Sequence, residues 1–166
     1  MAVRRLNHAV LYVRDVARSV AFYTEALGLT VEAELAGRAV FLIAPGSLND
    51  HDLALFAVGP DAPGPEAGRV GLYHLAWEVG TLGELAAART WLAEQGALVG
   101  STDHLVSKSL YAKDPDGVEF EVMWRVPRED WPAPDETDRL RPLDLAGALR
   151  RWGPDLETGA AAGSAT

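Results

Sequence analysis

The sequence predicts an α+β protein made of two βαβββ modules that pair into one open eight-stranded cup. Three observations predict it. Two β-rich octapeptides, Leu6 to Val13 and Leu72 to Val79, align with a histidine at the third place of each, His8 and His74. Each octapeptide is followed by helical text and then by three strand-like runs. A proline-rich stretch separates the two halves. A repeated unit of this size cannot bury both faces of its own sheet, so two copies are expected to pair around one shared site.

The elements follow in order. After the first octapeptide, Asp15 to Leu27 sets Val16, Val20, Tyr23 and Leu27 on one helical face and stops at Gly28, a good C-terminal cap. Strand-like runs near 29–35, 38–44 and 52–58 complete a first module over residues 1–59. Gly59 to Gly68 carries Pro60, Pro63 and Pro65, so residues 60–68 read as a linker. In the second module, residues 69–126, Thr81 can cap a helix whose Leu82, Leu85, Ala88 and Leu92 form a stripe ending at Gly96. Runs near 97–101, 108–113 and 118–124 follow, with Asp116-Gly117 as a hairpin-type turn. Residues 127–166 turn Pro-, Asp- and Arg-rich, with one amphipathic stretch from Leu143 to Trp152 and a Gly/Ala/Ser tail. They are expected to be an extension, partly disordered or wrapping.

Composition narrows the function. With 166 residues and 48% hydrophobic residues the chain can build a real core. A net charge of −9 without any dense Lys/Arg run argues against nucleic-acid binding, which needs a basic surface. No apolar run is long enough for a bilayer and no signal segment opens the chain, so no membrane partner and a cytoplasmic location are expected. The absence of cysteine removes thiolate chemistry and leaves histidine and carboxylate as the strong metal ligands.

Side chains alternate along a strand, which groups His8 with Val10, His74 with Ala76, and Glu121 with Glu119 and Met123. One strand from each half plus the last strand can then present His8, His74 and Glu121 to one cup. Two imidazoles and a carboxylate on one face of an octahedral ion leave the opposite face open, the donor set of a non-haem iron(II) site.

Asp114-Pro115-Asp116-Gly117-Val118-Glu119-Phe120-Glu121 and the text from Asp15 to Leu29, with Phe22-Tyr23 and Leu27-Gly28-Leu29, resemble the vicinal oxygen chelate superfamily. That superfamily includes glyoxalase I, bleomycin- and fosfomycin-resistance proteins, methylmalonyl-CoA epimerase and type I extradiol dioxygenases, and the resemblance spans roughly residues 5 to 126. It implies that Glu121 is the last metal-binding carboxylate. It also implies three further roles. His51, in Asn49-Asp50-His51-Asp52, resembles the acid/base histidine of extradiol dioxygenases. His104, in Asp103-His104-Leu105, resembles the histidine that hydrogen-bonds bound substrate or oxygen. Tyr111, ten residues before Glu121, matches a tyrosine facing the substrate. All four histidines of the chain then fall at functional positions of the family.

The expected activity is an Fe(II)-dependent extradiol dioxygenase acting on a small catechol-like aromatic diol with dioxygen, with Mn(II), Ni(II) or Zn(II) as alternative metals. A metal-dependent isomerase or epimerase of the glyoxalase type is the second reading. Its relatives use a fourth ligand from the last strand of the first half, where this chain has Ala54, Leu55 and Phe56. A drug-binding protein of the bleomycin-resistance type is the third, though such binders typically lack the metal residues. A homodimer is expected, partly because Leu143, Leu149 and Trp152 would otherwise expose apolar surface.

Overall fold

A computed structural model describes residues 2–133 and 140–159. Eight strands and three α-helices follow in the order β1 (Ala9–Val13), α1 (Val16–Leu27), β2 (Thr30–Leu35), β3 (Ala39–Ile43), β4 (Leu53–Ala57), β5 (Leu75–Glu78), α2 (Leu82–Glu94), β6 (Leu98–Asp103), β7 (Ser107–Lys113), β8 (Glu119–Arg125) and α3 (Leu145–Trp152). The strands divide into two four-stranded sheets, β1-β4-β3-β2 and β5-β8-β7-β6. The α+β class and the two βαβββ modules are as expected from the sequence. The repeat extends to register: in both modules the first and last strands run parallel, the remaining pairs are antiparallel, and the second strand carries a bulge.

By contacts the described chain forms two compact units. One holds the residues up to Arg69 together with Asp114–Val118, and the other holds Val70–Lys113 with the residues from Glu119 onward.

In the first unit, Asp15 caps α1 by accepting from Arg18 N, and Gly28 ends the helix at a φ of +67° that only glycine adopts without cost. The helix covers the sheet face carrying Leu11, Val13, Leu53 and Leu55, all buried. Tyr23 is buried on the same side, and its hydroxyl donates to Asp114 Oδ2 at 3.0 Å. Asp114 Oδ1 accepts from Asp116 N and Val118 N, which shapes the turn. The buried Asp116 carboxylate takes Arg14 Nη1 at 3.0 Å and Arg18 Nη2 at 2.8 Å. Ala62, within the proline-rich stretch, accepts from Arg14 Nε.

The second unit packs Leu82, Leu85 and Leu92 of α2 beside Leu110, Ala112, Phe120, Val122 and Trp124 in its core. Thr81 and Glu84 close a capping box at the start of α2. The chain beyond β8 is built into this unit. Trp124 Nε1 donates to Leu156 O, Thr158 N donates to Gly80 O, and α3 brings the Trp152 ring 5.5 Å from that of Trp124. Of the extension expected over 127–166, residues 134–139 and 160–166 lie outside the described residues.

The strands differ from expectation at their starts. The octapeptides suggested strands through His8 and His74, but β1 begins at Ala9 and β5 at Leu75. At the first of these, the carbonyl of Asn7 is taken by the Asn49 side chain, so the ladder opens only with Ala9 N donating to Asp52 O.

Candidate functional site

In the second unit, β5 and β8 run in parallel with Ala76 opposite Glu121, and β7 places Tyr111 on the other side of the same glutamate. Ala76 offers only a methyl group beside the carboxylate. His74, two residues earlier on the same face, can therefore reach across, and its Nε2 stands 3.1 Å from Glu121 Oε2. Both side chains are mostly buried. The Tyr111 ring lies 5.7 Å from that of His74, and its hydroxyl is 2.8 Å from His104 Nε2. Burial raises the Tyr111 pKa above its ordinary value, and the negative charge of Glu121 raises it further. Tyr111 thus stays a neutral phenol with a proton to donate. Tyr73, Thr102, His104, Tyr111, Lys113 and Glu119 are among the residues lining an open hollow of about 500 Å³ on this face.

The first unit holds the other two histidines together. The parallel register of β1 on β4 sets Ala9 opposite Leu53, and just before these two strands the His8 and His51 rings lie side by side with centroids 4.4 Å apart. His8 Nδ1 lies 2.8 Å from Asn7 Oδ1, and His51 Nδ1 lies 3.0 Å from Asp50 Oδ2. In each case a neutral imidazole donating from Nδ1 leaves Nε2 with its lone pair. The hydrogen bond with His51 holds Asp50 below the usual carboxylate range. Asp52 is also lowered: burial opposes this, but hydrogen bonds from Ala44 N, Ser47 Oγ and Asn49 Nδ2 prevail and tie down the loop that carries His51. Phe41 packs edge-on to His51 at 5.0 Å.

Asn7 and Asp50 were missed in the sequence, although each directly precedes its histidine. A short polar acceptor at that place is the available signal. The repeat also locates the missing fourth ligand. Val10 opposite Ala54 is the first unit's counterpart of Ala76 opposite Glu121, so the position equivalent to the carboxylate is a buried alanine.

Among the described residues, no group of three or more histidine or carboxylate side chains is placed so that it could hold an ion. The second unit brings together His74 and Glu121, with Tyr111 and His104 beside them, and the first brings together His8 and His51. The pair in the second unit has the spacing a metal asks for: two donor atoms each about 2.1 Å from an octahedral ion, at right angles, stand about 3.0 Å apart. His74 Nδ1 is buried without a hydrogen-bond partner.

The family model described as the glyoxalase/bleomycin resistance protein/dioxygenase superfamily matches residues 5–122. The chain is 32% identical over 164 residues to a catechol-2,3-dioxygenase of Bacillus subtilis (strain 168), covering 92% of this chain and 54% of that protein. It is 27% identical over 161 residues to metapyrocatechase 2 of Cupriavidus necator, covering 92% and 45%. It therefore spans about half the length of these curated relatives. Among solved structures, a glyoxylase/bleomycin resistance protein/dioxygenase domain from Frankia sp. EAN1pec superposes with a TM-score of 0.62 at 24% identity, covering 75% of this chain and all of that one. A glyoxalase/dioxygenase from Nostoc punctiforme gives 0.60 at 26% identity, covering 74% and 92%. From the span of the family match, the chain belongs to the glyoxalase/bleomycin resistance protein/dioxygenase superfamily.

Proposed function

We propose that this chain is a metal-dependent extradiol dioxygenase that opens the ring of a catechol-like aromatic, with His8, His74 and Glu121 holding iron(II). The observation that carries the proposal is the His74–Glu121 pair, set at a ligand-to-ligand spacing with the neutral Tyr111 phenol and His104 beside it. Similarity to the two dioxygenases over nearly the whole of this chain supports the same chemistry. His8 is the third ligand in this proposal because Asn7 occupies its Nδ1 and leaves Nε2 as the donor. Bound iron(II) would supply one centre at which a vicinal diol and dioxygen are held side by side.

The remaining work falls to the chain's own groups. His51, oriented by Asp50, takes the second phenolic proton on Nε2 and returns it later in the cycle. Tyr111 keeps its proton at neutral pH and donates it as a hydrogen bond to a substrate oxygen, while His104 fixes the direction of that hydroxyl. Glu121 is the single anionic ligand, and the alanine at its counterpart position in the first unit leaves coordination places open for substrate.

The test is oxygen uptake by the iron(II)-loaded protein across a panel of simple catechols. Yellow ring-opened products, with oxygen consumed in step with substrate, are expected. No oxygen consumption across the panel, together with proton exchange on a hemithioacetal or a thioester α-carbon, would replace the dioxygenase with an isomerase.

A further inference from the structure

We propose that the C-terminal segment and a part-buried Asp103–Lys108 pair clamp the loop carrying His104, which makes Asp103 a positioning residue for the His104–Tyr111 contact. This inference rests on the proposed role of His104 at the substrate, but its structural half can be tested without turnover.

The loop between β6 and β7 has an unusual backbone. Leu105 has a φ of +67°, the single positive value at a non-glycine position among the described residues. A side chain with a Cβ avoids that region unless its surroundings impose it. Here they do. Asp103 Oδ1 accepts from Leu105 N at 2.7 Å and from Lys108 Nζ at 2.5 Å. His104 N donates to Ser107 O at 3.0 Å. On the outer side, the Asp103 main chain is bridged to Arg141 in both directions, N to O at 2.8 Å and O to N at 3.0 Å. Lys108 is held as well. Its side chain is only 6% exposed, and its ammonium sits 5.3 Å from the centre of the Trp152 ring. Trp152 is fixed by Nε1 donating to Asp130 Oδ2 at 2.6 Å.

Lys108 and Asp103 lie on the sheet face opposite Tyr111, away from the predicted site residues. A buried ion pair adds little net stability over an apolar pair of the same volume, so stability is a weak reason for keeping one here. Direction is a better one. The pair and the Arg141 bridge fix both sides of residue 103, and the next side chain along, His104, is thereby aimed at the Tyr111 hydroxyl, 2.8 Å away.

The discriminating variant is the double substitution Asp103→Leu with Lys108→Met, which removes the acceptor for Leu105 N and both charges together and avoids leaving one charge buried alone. In the metal-free protein, the ring-nitrogen NMR signals of His104 are expected to lose the signature of the bond to Tyr111, while the melting temperature stays close to that of the parent. In the iron-loaded protein, kcat is expected to fall roughly 10- to 100-fold with KM little changed. As a single substitution in the parent, Lys108→Arg keeps a cation for Asp103 and for the Trp152 ring and should leave the His104 signals and kcat as they are in the parent. His104 signals unchanged in a folded double variant would overturn the proposal. Amide exchange in the unaltered protein gives a check that no folding defect can blur. Leu105 N–H should be protected like the amides of β7, and loop-like exchange there would also overturn the clamp. If the NMR signals move but no catechol is turned over even by the parent, the clamp stands and the dioxygenase proposal fails.

Discussion

His51 is the residue whose proposed role is most specific, because Asp50 orients its ring and it lies beside His8 without being one of the three proposed ligands. His51→Phe keeps the ring that packs against Phe41 but has no transferable proton. Iron content is expected to stay normal while kcat falls about a hundredfold or more, read by metal analysis and oxygen uptake on one preparation. A variant that lost its iron would make His51 a ligand instead. Tyr23 carries a second prediction at this scale. Burial pushes its phenol well above the ordinary value, and the neighbouring Asp114 adds to the shift. A group whose folded pKa is raised contributes stability that is fully present below its unfolded pKa, about 10 for tyrosine, and is lost as pH rises past it. Melting temperature should therefore drop steeply above about pH 10, and Tyr23→Phe should flatten that limb of the curve.

At the scale of elements, much was legible because period and punctuation agreed. Asp15 and Gly28 bound α1, Thr81 with Glu84 opens α2, and Asp144 caps the short α3 within the stretch read as amphipathic. Alternation grouped His74 with Ala76, and the register of β5 on β8 then sets Ala76 opposite Glu121. Three features were not legible, for physical reasons. The start of β1 shifted because the Asn49 side-chain amide competes with the ladder at Asn7. The loop at His104 turns on a leucine, a residue with no preference for positive φ, so nothing local announces it. The strap formed by Leu156 and Thr158 pairs through its own main-chain groups, Leu156 O and Thr158 N, which carry no residue signature. The capping box gives a clean test of an element: Thr81→Ala should cost about 1 kcal/mol. That lowers the melting temperature by a few degrees in a chain of this size, with iron content unaffected. An unchanged melting temperature would show that α2 is held by packing alone.

For the whole molecule, the internal repeat is the economy that makes the candidate site readable. One register, β1 on β4 and β5 on β8, is used twice. It yields histidines before both first strands but a carboxylate in only one of the two last strands. In the proposed site, the asymmetry between Ala54 and Glu121 would separate a three-ligand set with open positions from a four-ligand set. The proposed activity depends on that set. The most direct measurement is the metal content of protein purified and loaded without oxygen, compared with Glu121→Ala, in which the one anionic ligand is gone. About one iron per parent chain is predicted, with loss of tight binding in Glu121→Ala while its circular dichroism stays that of the parent. Full iron occupancy in a folded Glu121→Ala variant, or no tight binding by the parent, would contradict it.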